Sequence, residues 1–204
     1  MRGSVISNRK MCLGLIVAIA LGIAACSSKQ EPTASQPASS QPAADNKIAV
    51  IETSAGTIKI ELLANEAPTT AQNFKALAEQ GRYDGTIFHR VISGFMIQGG
   101  DPKGDGSGGQ TATGRPLPNE VNPSSPIYQG GYKRGFVAMA NTGRPETGGS
   151  QFFIMHKGTP LQPVYTIFGR VIEGMDTVDK IAAAPNGPGD RPLSPVKMTK
   201  VYIQ

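Results

Sequence analysis

Apolar and polar side chains alternate along one stretch near the first quarter of the chain. In residues 57–62, isoleucine or leucine occupies every second position, with threonine, lysine or glutamate between. Because successive side chains of a strand point to opposite faces, this pattern predicts a strand with one buried face. Another β-rich run lies over residues 47–53, and three small residues, 54–56, separate the two runs. Residues 47–62 are therefore predicted to form a β-hairpin.

A helical period replaces this alternation in two places. Over residues 68–80 the apolar positions fall on one face of a helix, at Ala71, Phe74, Leu77 and Ala78. Pro68 suits the first helical position, and Gly81 suits the stop. A second, shorter helix is predicted over residues 175–183, with its buried side formed by Met175, Val178 and Ile181.

Further β-rich runs are short and are separated by loops rich in glycine, proline and asparagine. They lie near 86–92, 95–98, 135–140, 151–155, 165–172 and 196–203. Residues 110–134 show no period and are predicted to be loop. With 25 glycines and 16 prolines in 204 residues, a helical bundle is disfavoured, since both residues break helices. Many short strands and two helices predict a mainly β fold, a barrel whose ends helices cover.

The N-terminal 25 residues have the pattern of an export signal. Arg2, Arg9 and Lys10 precede fifteen apolar or small residues, 11–25. As a helix of about 1.5 Å per residue, that stretch is shorter than a hydrocarbon core of about 30 Å, so it indicates a secretory signal. It ends in Ile-Ala-Ala-Cys, which resembles the bacterial lipobox, and Cys26 is the predicted lipidation site. An ordinary signal peptide with a chance cysteine, or an uncleaved anchor, remains the alternative.

Residues 26–46 are predicted to be a disordered tether that begins at the lipidated cysteine. The segment is made of serine, alanine, proline and glutamine and has almost no large apolar side chain to bury. The predicted domains are thus a lipoprotein signal peptide (1–25), the tether (26–46) and a folded domain (47–204). The implied location is the cell envelope, through the lipid anchor. Since Ser27 rather than aspartate follows Cys26, the lipoprotein rule places it in the outer membrane, facing the periplasm, if the cell is Gram-negative.

Charge and cysteine count change meaning once they are located. The chain has 20 basic and 15 acidic residues, but three basic residues lie in the signal and no acidic one does. The remaining balance is nearly neutral and gives no reason to expect nucleic-acid binding. Both cysteines, Cys12 and Cys26, precede the folded domain. That domain has no thiol, which excludes a disulfide or thiol mechanism.

Common cofactor motifs fail on context. The glycines of residues 104–109 fit GxGxxG as a string, but no helix follows to receive a pyrophosphate. A calcium loop beginning at Asp101 would need an acidic residue where Ala112 stands. The two histidines, His89 and His156, are far apart and have no companion cysteine, so a zinc site is not expected. We predict a reaction without metal, cofactor or covalent nucleophile.

Several segments together resemble one enzyme family. FHRVISGFMIQGGDP at 88–102, VAMAN at 137–141 and GSQFFI at 149–154 resemble signature segments of the cyclophilin family of peptidyl-prolyl cis-trans isomerases. APTTAQNFKAL at 67–77 and YTIFGRV at 165–171 follow the family order. The resemblance covers nearly all of residues 47–204. It implies a closed eight-stranded antiparallel β-barrel capped by two α-helices, and a rotamase activity.

That activity makes demands which particular residue types meet. An Xaa-Pro bond isomerises slowly because rotation breaks amide resonance, against a barrier of about 18–20 kcal/mol. A catalyst needs an apolar slot for the proline ring and a donor that reaches the imide nitrogen as the bond twists. A guanidinium offers charged donors in a rigid fork. Arg90 matches the family's catalytic arginine.

The resemblance also assigns the substrate-binding residues. Those of the proline pocket and its rim are Phe95, Met96, Phe153, Leu161 and Tyr165. Without the resemblance, the first four would be interpreted as barrel core. Polar groups that orient substrate and arginine are Gln98 and Gln151, and those that hold the substrate backbone are Ala140 and Asn141. His89 alternates to the opposite side of a strand from Arg90 and is interpreted as structural.

Some positions depart from the family pattern. Pro160 stands where eukaryotic members carry a tryptophan beside the pocket, and the chain has no tryptophan. That tryptophan helps to bind cyclosporin, so weak cyclosporin binding is predicted. Tyr165 stands where those members have histidine, as in the bacterial branch. The loop 142–149 is one residue longer than the common form.

The sequence therefore predicts a lipid-anchored prolyl isomerase of the cell envelope, acting as a monomer. Its partners would be proline-containing polypeptides that fold in the envelope or are secreted, and the membrane through the anchor. The alternative from another class is a chaperone module that binds proline peptides with little catalysis. A scaffold that only docks a partner would not need Arg90 and its pocket.

Overall fold

The computed structural model describes residues 47–204, which form eight strands, two α-helices and one short 3-10 helix. The strands are β1 (Ile48–Thr53), β2 (Gly56–Leu62), β3 (Arg90–Ile92), β4 (Met96–Gly99), β5 (Phe136–Met139), β6 (Phe152–Met155), β7 (Ile167–Glu173) and β8 (Met198–Ile203). The helices are α1 (Pro68–Glu79), α2 (Met175–Ala182) and the 3-10 helix (Pro188–Asp190). Every predicted strand and helix is present, although β3 is shorter than the run that predicted it.

One antiparallel sheet contains all eight strands, in the order β3-β4-β6-β5-β7-β2-β1-β8. The sheet curls, but the predicted closed barrel is not confirmed. Among the described residues no ladder joins β3 to β8. The residues just before β3 contact the start of β8 instead. Ile87 bridges Lys197, and Met198 of β8 accepts from the Gly85 N–H and donates to the Thr86 carbonyl (2.8 Å each). β3 itself is only three residues long and pairs with β4 alone among the named strands.

The predicted hairpin of residues 47–62 is confirmed. Thr53 pairs with Gly56 at its tip, and Ile51 pairs with Ile58 in register. Ile58, Ile60 and Leu62 are buried, whereas the residues between them are not. Strand alternation therefore sends one side of β2 into the core, as its sequence pattern indicated.

The main core lies inside the curl of the sheet, under α1. Its aromatic centre is Phe74 of α1, whose ring lies 5.3 Å from Phe152 and 5.2 Å from Phe168. The four predicted apolar positions of α1 are buried, as are Val178 and Ile181 of α2, while Met175 is partly buried. The helices thus cover the sheet with the faces that their sequence period defines.

Specific backbone contacts determine where both helices begin. Glu120, far along the chain, accepts hydrogen bonds from the N–H groups of Thr69 and Thr70 at the start of α1 (2.8 and 2.7 Å). Such groups lack partners within a helix, and a carboxylate suits that end. Gly174 precedes α2 with φ +90°, and a Cβ there would lie 2.2 Å from the Thr57 carbonyl oxygen. Only glycine allows this approach.

Residues 110–134 contain no strand or helix, as predicted, but their tyrosines are structural. The Tyr132 hydroxyl donates to the Tyr165 carbonyl (2.8 Å) and accepts from the Tyr165 N–H (3.0 Å). The Tyr128 hydroxyl accepts from the Ile167 N–H (3.0 Å). Burial raises the pKa of Tyr132 to about 12, so its hydroxyl keeps its proton. The loop therefore holds the segment that leads into β7.

The signal peptide, the lipidation site Cys26 and the tether lie outside the described residues. Within residues 47–204 neither helix is long and apolar enough to cross a lipid bilayer.

Candidate active site

A cleft of about 630 Å³ lies on the outer face of β3, β4 and β6. Strand pairing creates this surface, since Arg90 lies opposite Gln98, and Gln98 lies opposite Phe153. Residues two apart in each strand share the face, which adds Met96 beside Gln98. The sequence-predicted site residues that line the cleft are Arg90, Phe95, Met96, Gln98, Ala140, Asn141, Phe153, Leu161 and Tyr165.

The floor of the cleft is apolar. Met96 and Phe153 are almost fully buried, whereas Phe95, Leu161 and Tyr165 are partly exposed at the walls. The Phe153 and Tyr165 rings meet edge to face, with centroids 5.4 Å apart. These side chains belong to a second hydrophobic cluster that is distinct from the main core. The result is a small apolar slot that opens to solvent.

Arg90 stands at the edge of this slot, and its guanidinium is held on two sides. Nη1 donates to Oε1 of Gln98 at 3.4 Å, and Nε lies 3.4 Å from Oδ2 of Asp190. The Arg90 side chain retains 42% of its exposure, so it remains accessible to a ligand. A charged donor fork therefore faces a cleft whose floor is apolar.

Gln151, the remaining predicted site residue, lies behind this arrangement rather than in the main cleft. It lines an adjoining recess of about 270 Å³. Its Oε1 accepts a hydrogen bond from Gln98 (3.0 Å), and its Nε2 donates to the carbonyls of Gly106 (3.0 Å) and Gly108 (2.7 Å). A chain of hydrogen bonds therefore runs from the glycine-rich segment through both glutamines to Arg90.

Asn141 contacts loops rather than open space with its side chain. Its Nδ2 donates to the Val164 carbonyl (2.8 Å), and its Oδ1 accepts from the Gly143 N–H (2.9 Å). The preceding residue, Ala140, donates its N–H to the Gln151 carbonyl (2.9 Å). The wall made by residues 140 and 141 is thus fixed in place by backbone and amide contacts.

His89 lines the cleft from below and is 6% exposed. It is the one buried side chain in the described part of the chain with an unpartnered polar atom, Nδ1. Burial lowers the pKa of His89, and the positive charges of Arg191 and Arg90 add to this against the opposing effect of Asp101. A neutral, packed imidazole fits the structural interpretation, although the side chain does reach the cleft.

The glycine-rich segment, residues 104–109, lies against a carboxylate of the protein itself. Asp101 is fully buried, and its oxygens accept hydrogen bonds from the N–H groups of Lys103 (2.9 Å), Asp105 (3.1 Å) and Gly106 (2.7 Å). Burial alone would raise the pKa of the Asp101 carboxyl, but these bonds outweigh it and lower the pKa. Within residues 47–204 no group of three His, Cys, Asp or Glu side chains could hold a metal ion.

Sequence reasoning missed one wall of the cleft. Pro188, Gly189 and Arg191 line it, and Asp190 between them contacts Arg90. The prolines and glycines of this segment indicate a turn, but nothing local shows that the turn packs against β3.

Comparison with known sequences decides the family. Residues 48–203 match the family of cyclophilin type peptidyl-prolyl cis-trans isomerases, which is almost the whole described part. The chain belongs to this family. As a cyclophilin it is a peptidyl-prolyl cis-trans isomerase, and the isomerase activity expected from the sequence is confirmed.

Relatives of this cyclophilin match over nearly their full length. A peptidyl-prolyl cis-trans isomerase of Arabidopsis thaliana is 47% identical over 154 residues, 75% of this chain and 93% of the relative. Peptidyl-prolyl cis-trans isomerase-like 1 of Homo sapiens is 44% identical over 153 residues, 74% of this chain and 89% of the relative.

Solved structures agree with the fold. A cyclophilin type isomerase of Cryptosporidium parvum, crystallised in the presence of the dipeptide Ala-Pro, is 37% identical with a TM-score of 0.71. The match covers 77% of this chain and 98% of that one. Among the departures of this cyclophilin from the family pattern, Pro160 is exposed and does not line the cleft. The longer loop, 142–149, contributes Thr142 and Thr147 to the adjoining recess.

Proposed function

We propose that Arg90 is the catalytic residue of this cyclophilin and that the substrate proline ring enters the slot beside it. The observation that carries this proposal is a guanidinium fixed at the edge of an apolar pocket. Phe95, Met96, Phe153 and Leu161 would surround the ring with apolar surface. Burial of the apolar proline ring in this slot is favourable, and it holds the substrate with the bond that must rotate beside Arg90.

Catalysis then follows from a charge that changes during rotation. In the planar amide, the nitrogen lone pair is delocalised into the carbonyl. As the bond twists, the lone pair localises on nitrogen and becomes a hydrogen-bond acceptor. A hydrogen bond donated by Arg90 to this nitrogen is stronger in the twisted state than in either planar isomer. Only such differential binding accelerates the reaction. No covalent bond forms or breaks.

The remaining polar groups would align the peptide. Gln98 and Gln151 keep the guanidinium and the cleft wall in register. The Ala140 N–H already donates to the Gln151 carbonyl, and the Asn141 side chain is engaged by the loops. The Ala140 carbonyl and the Asn141 main chain would therefore hold the substrate backbone. When the backbone on one side of the proline is held, only the other side rotates about the Xaa-Pro bond. Binding energy is thereby used to promote isomerisation.

The test is an isomerisation assay of the full chain on a proline tetrapeptide, coupled to a protease that cleaves only the trans form. We expect Arg90→Ala to lower kcat/KM about 100–1000-fold, as loss of one transition-state donor does. Arg170→Ala is the matched control, because Arg170 pairs with Glu61 away from the cleft and its loss should leave the rate unchanged.

Equal rates for Arg90→Ala and the wild type would refute the role of Arg90. Negligible wild-type turnover, with peptide binding that survives Arg90→Ala, would favour the alternative of a proline-peptide-binding chaperone.

The anchored, envelope form of the enzyme is the second half of the proposal. Its support is the export signal, the lipobox ending at Cys26 and the polar tether before Lys47. The lipid would keep the isomerase at the membrane surface, where exported chains emerge unfolded and their Xaa-Pro bonds limit folding. Substrates would be proline-containing polypeptides of the envelope or the secreted fraction.

Mass spectrometry of the mature N-terminus tests the anchor. We expect a chain that begins at Cys26 and carries acyl groups, and a Cys26→Ser variant that no longer sediments with membranes. An unmodified N-terminus at another position would overturn the anchor and leave the isomerase activity untouched.

A further inference from the structure

The segment between α2 and β8 folds into a small hairpin, residues 185–193. Asn186 and Pro192 form an isolated antiparallel bridge within it. The Gly187 N–H donates to the Arg191 carbonyl (2.8 Å), and the Leu193 N–H donates to the Pro185 carbonyl (2.9 Å). The segment is therefore ordered by its own hydrogen bonds rather than being a loose connection.

This 185–193 hairpin is also tied to the strand that carries Arg90. The side-chain amide of Asn186 donates to the carbonyl of Val91, the residue next to Arg90 in β3. Pro192 is buried, so the closing end of the hairpin is packed. Its tip, with Pro188 and Gly189, forms part of the cleft wall. The position of the tip relative to Arg90 is thus fixed from both sides.

Asp190 at this tip adopts a backbone conformation that L-residues avoid. Its φ is +60°, and it is one of two non-glycine residues with positive φ in residues 47–204. Aspartate tolerates this region better than most side chains, but strain still remains. Such strain persists where the surrounding structure enforces it, and here it places the carboxylate 3.4 Å from Nε of Arg90.

We propose that Asp190 is a positioning residue for Arg90. It engages Nε, Gln98 engages Nη1, and among the described residues Nη2 has no protein partner. Two fixed contacts define the plane of a planar guanidinium, so its remaining donors point in one direction, over the slot. The inference rests on the proposed role of Arg90.

The carboxylate does not cancel the charge that catalysis uses. The Asp190 and Arg90 side chains are 47% and 42% exposed, so water screens their attraction. Orientation rather than binding strength is what the contact adds, and the expected effect on rate is correspondingly modest. That effect should appear in kcat, since the donor acts in the twisted state and not on the bound ground state.

The principal variants are Asp190→Asn and Asp190→Gly, assayed as the full chain. Both residues accept a positive φ, so the hairpin keeps its shape and the melting temperature should not fall. We expect each variant to lower kcat about 2–5-fold with KM little changed. Asp176→Asn is the matched control, because it removes the same charge from an exposed position on α2 and should not alter the rate.

Two readouts separate positioning from a structural role. In an Arg90→Lys background the Nε donor is absent, so Asp190→Asn should change kcat less than about 1.5-fold there. The difference in kcat between the wild type and Asp190→Asn should also decrease as the salt concentration rises toward 1 M, where the screening length falls to about 3 Å.

An equal loss of kcat in the wild-type and Arg90→Lys backgrounds, or no loss in either single variant, would overturn the role of Asp190. These results differ from failure of the proposed function itself. In that case Arg90→Ala alone would leave kcat/KM at the wild-type value.

Discussion

The two faces of β3, β4 and β6 are made by neighbouring residues of the same strands, yet they have different surroundings. Phe152 points inward and is fully buried among Phe74, Tyr83 and Phe88. Phe153, the next residue, points outward and forms the floor of the cleft. A helix and the curl of the sheet cover the inner face. Only loops cover the outer face, and they leave an apolar slot open.

Under the proposed function, the inner face stabilises the fold and the outer face binds the substrate. Inner side chains are in contact on all sides, so their loss leaves a cavity. Outer side chains lack partners over the slot, which is the place that a substrate proline would fill. Along a single strand, side chains therefore alternate between the core and the cleft.

The largest expected effect comes from substituting adjacent phenylalanines. Phe152→Ala should lower the free energy of unfolding by about 3–5 kcal/mol, since the cavity lies within the core. Phe153→Ala should lower it by less than half as much, because that ring already borders open space, and should raise KM about 10-fold through lost proline burial. Chemical denaturation and steady-state kinetics measure the two quantities. Equal destabilisation with unchanged kinetics would abolish the distinction between the faces.

Asp101, the buried carboxylate two residues after β4, sharpens the comparison. It binds the glycine-rich segment that lines the recess of the cleft, so its loss should change stability. Asp101→Asn should lower the free energy of unfolding by about 2–3 kcal/mol at neutral pH, because charge-assisted hydrogen bonds are lost. The pKa of Asp101 is lowered in the folded state, so its contribution is full above the unfolded value of about 3.9. It is lost as the pH falls through the folded value.

Unfolding curves of wild type and Asp101→Asn at several pH values test this. The two should differ most at neutral pH and converge in acid. A constant gap down to about pH 2 would show that the charge of Asp101 is not what matters.

A smaller effect is expected from the loop that supports the outer face. Tyr132→Phe removes a hydroxyl that both donates to and accepts from the backbone of Tyr165, and should lower the free energy of unfolding by about 1–2 kcal/mol. The rim at Tyr165 then loosens, so KM should rise while kcat stays the same. Tyr202→Phe is the control, since Tyr202 is 39% exposed on β8. Equal effects of the two substitutions would remove the loop's role.

The sequence allowed the elements and much of the cleft to be predicted, because both depend on local order. Periodicity defines each strand face, and Arg90, Met96 and Gln98 lie in one short segment whose pairing brings them together. The ties between distant segments could not be predicted. Nothing near Glu120 indicates that it caps α1, and nothing near Asp190 points to Arg90. These contacts depend on how loops pack once the sheet has curled.

The edge strand at the end of the chain has a consequence for the timing of folding. β8 pairs with β1, with Ile51 opposite Val201, and the Gln204 N–H donates to the Ile48 carbonyl (2.8 Å). β1 therefore completes its pairing only after residues 198–204 have been synthesised. Contacts of such wide sequence separation form late and slowly. Until β8 is in place, one edge of β1 lacks its partner strand, and its backbone N–H and C=O groups stay open to other contacts.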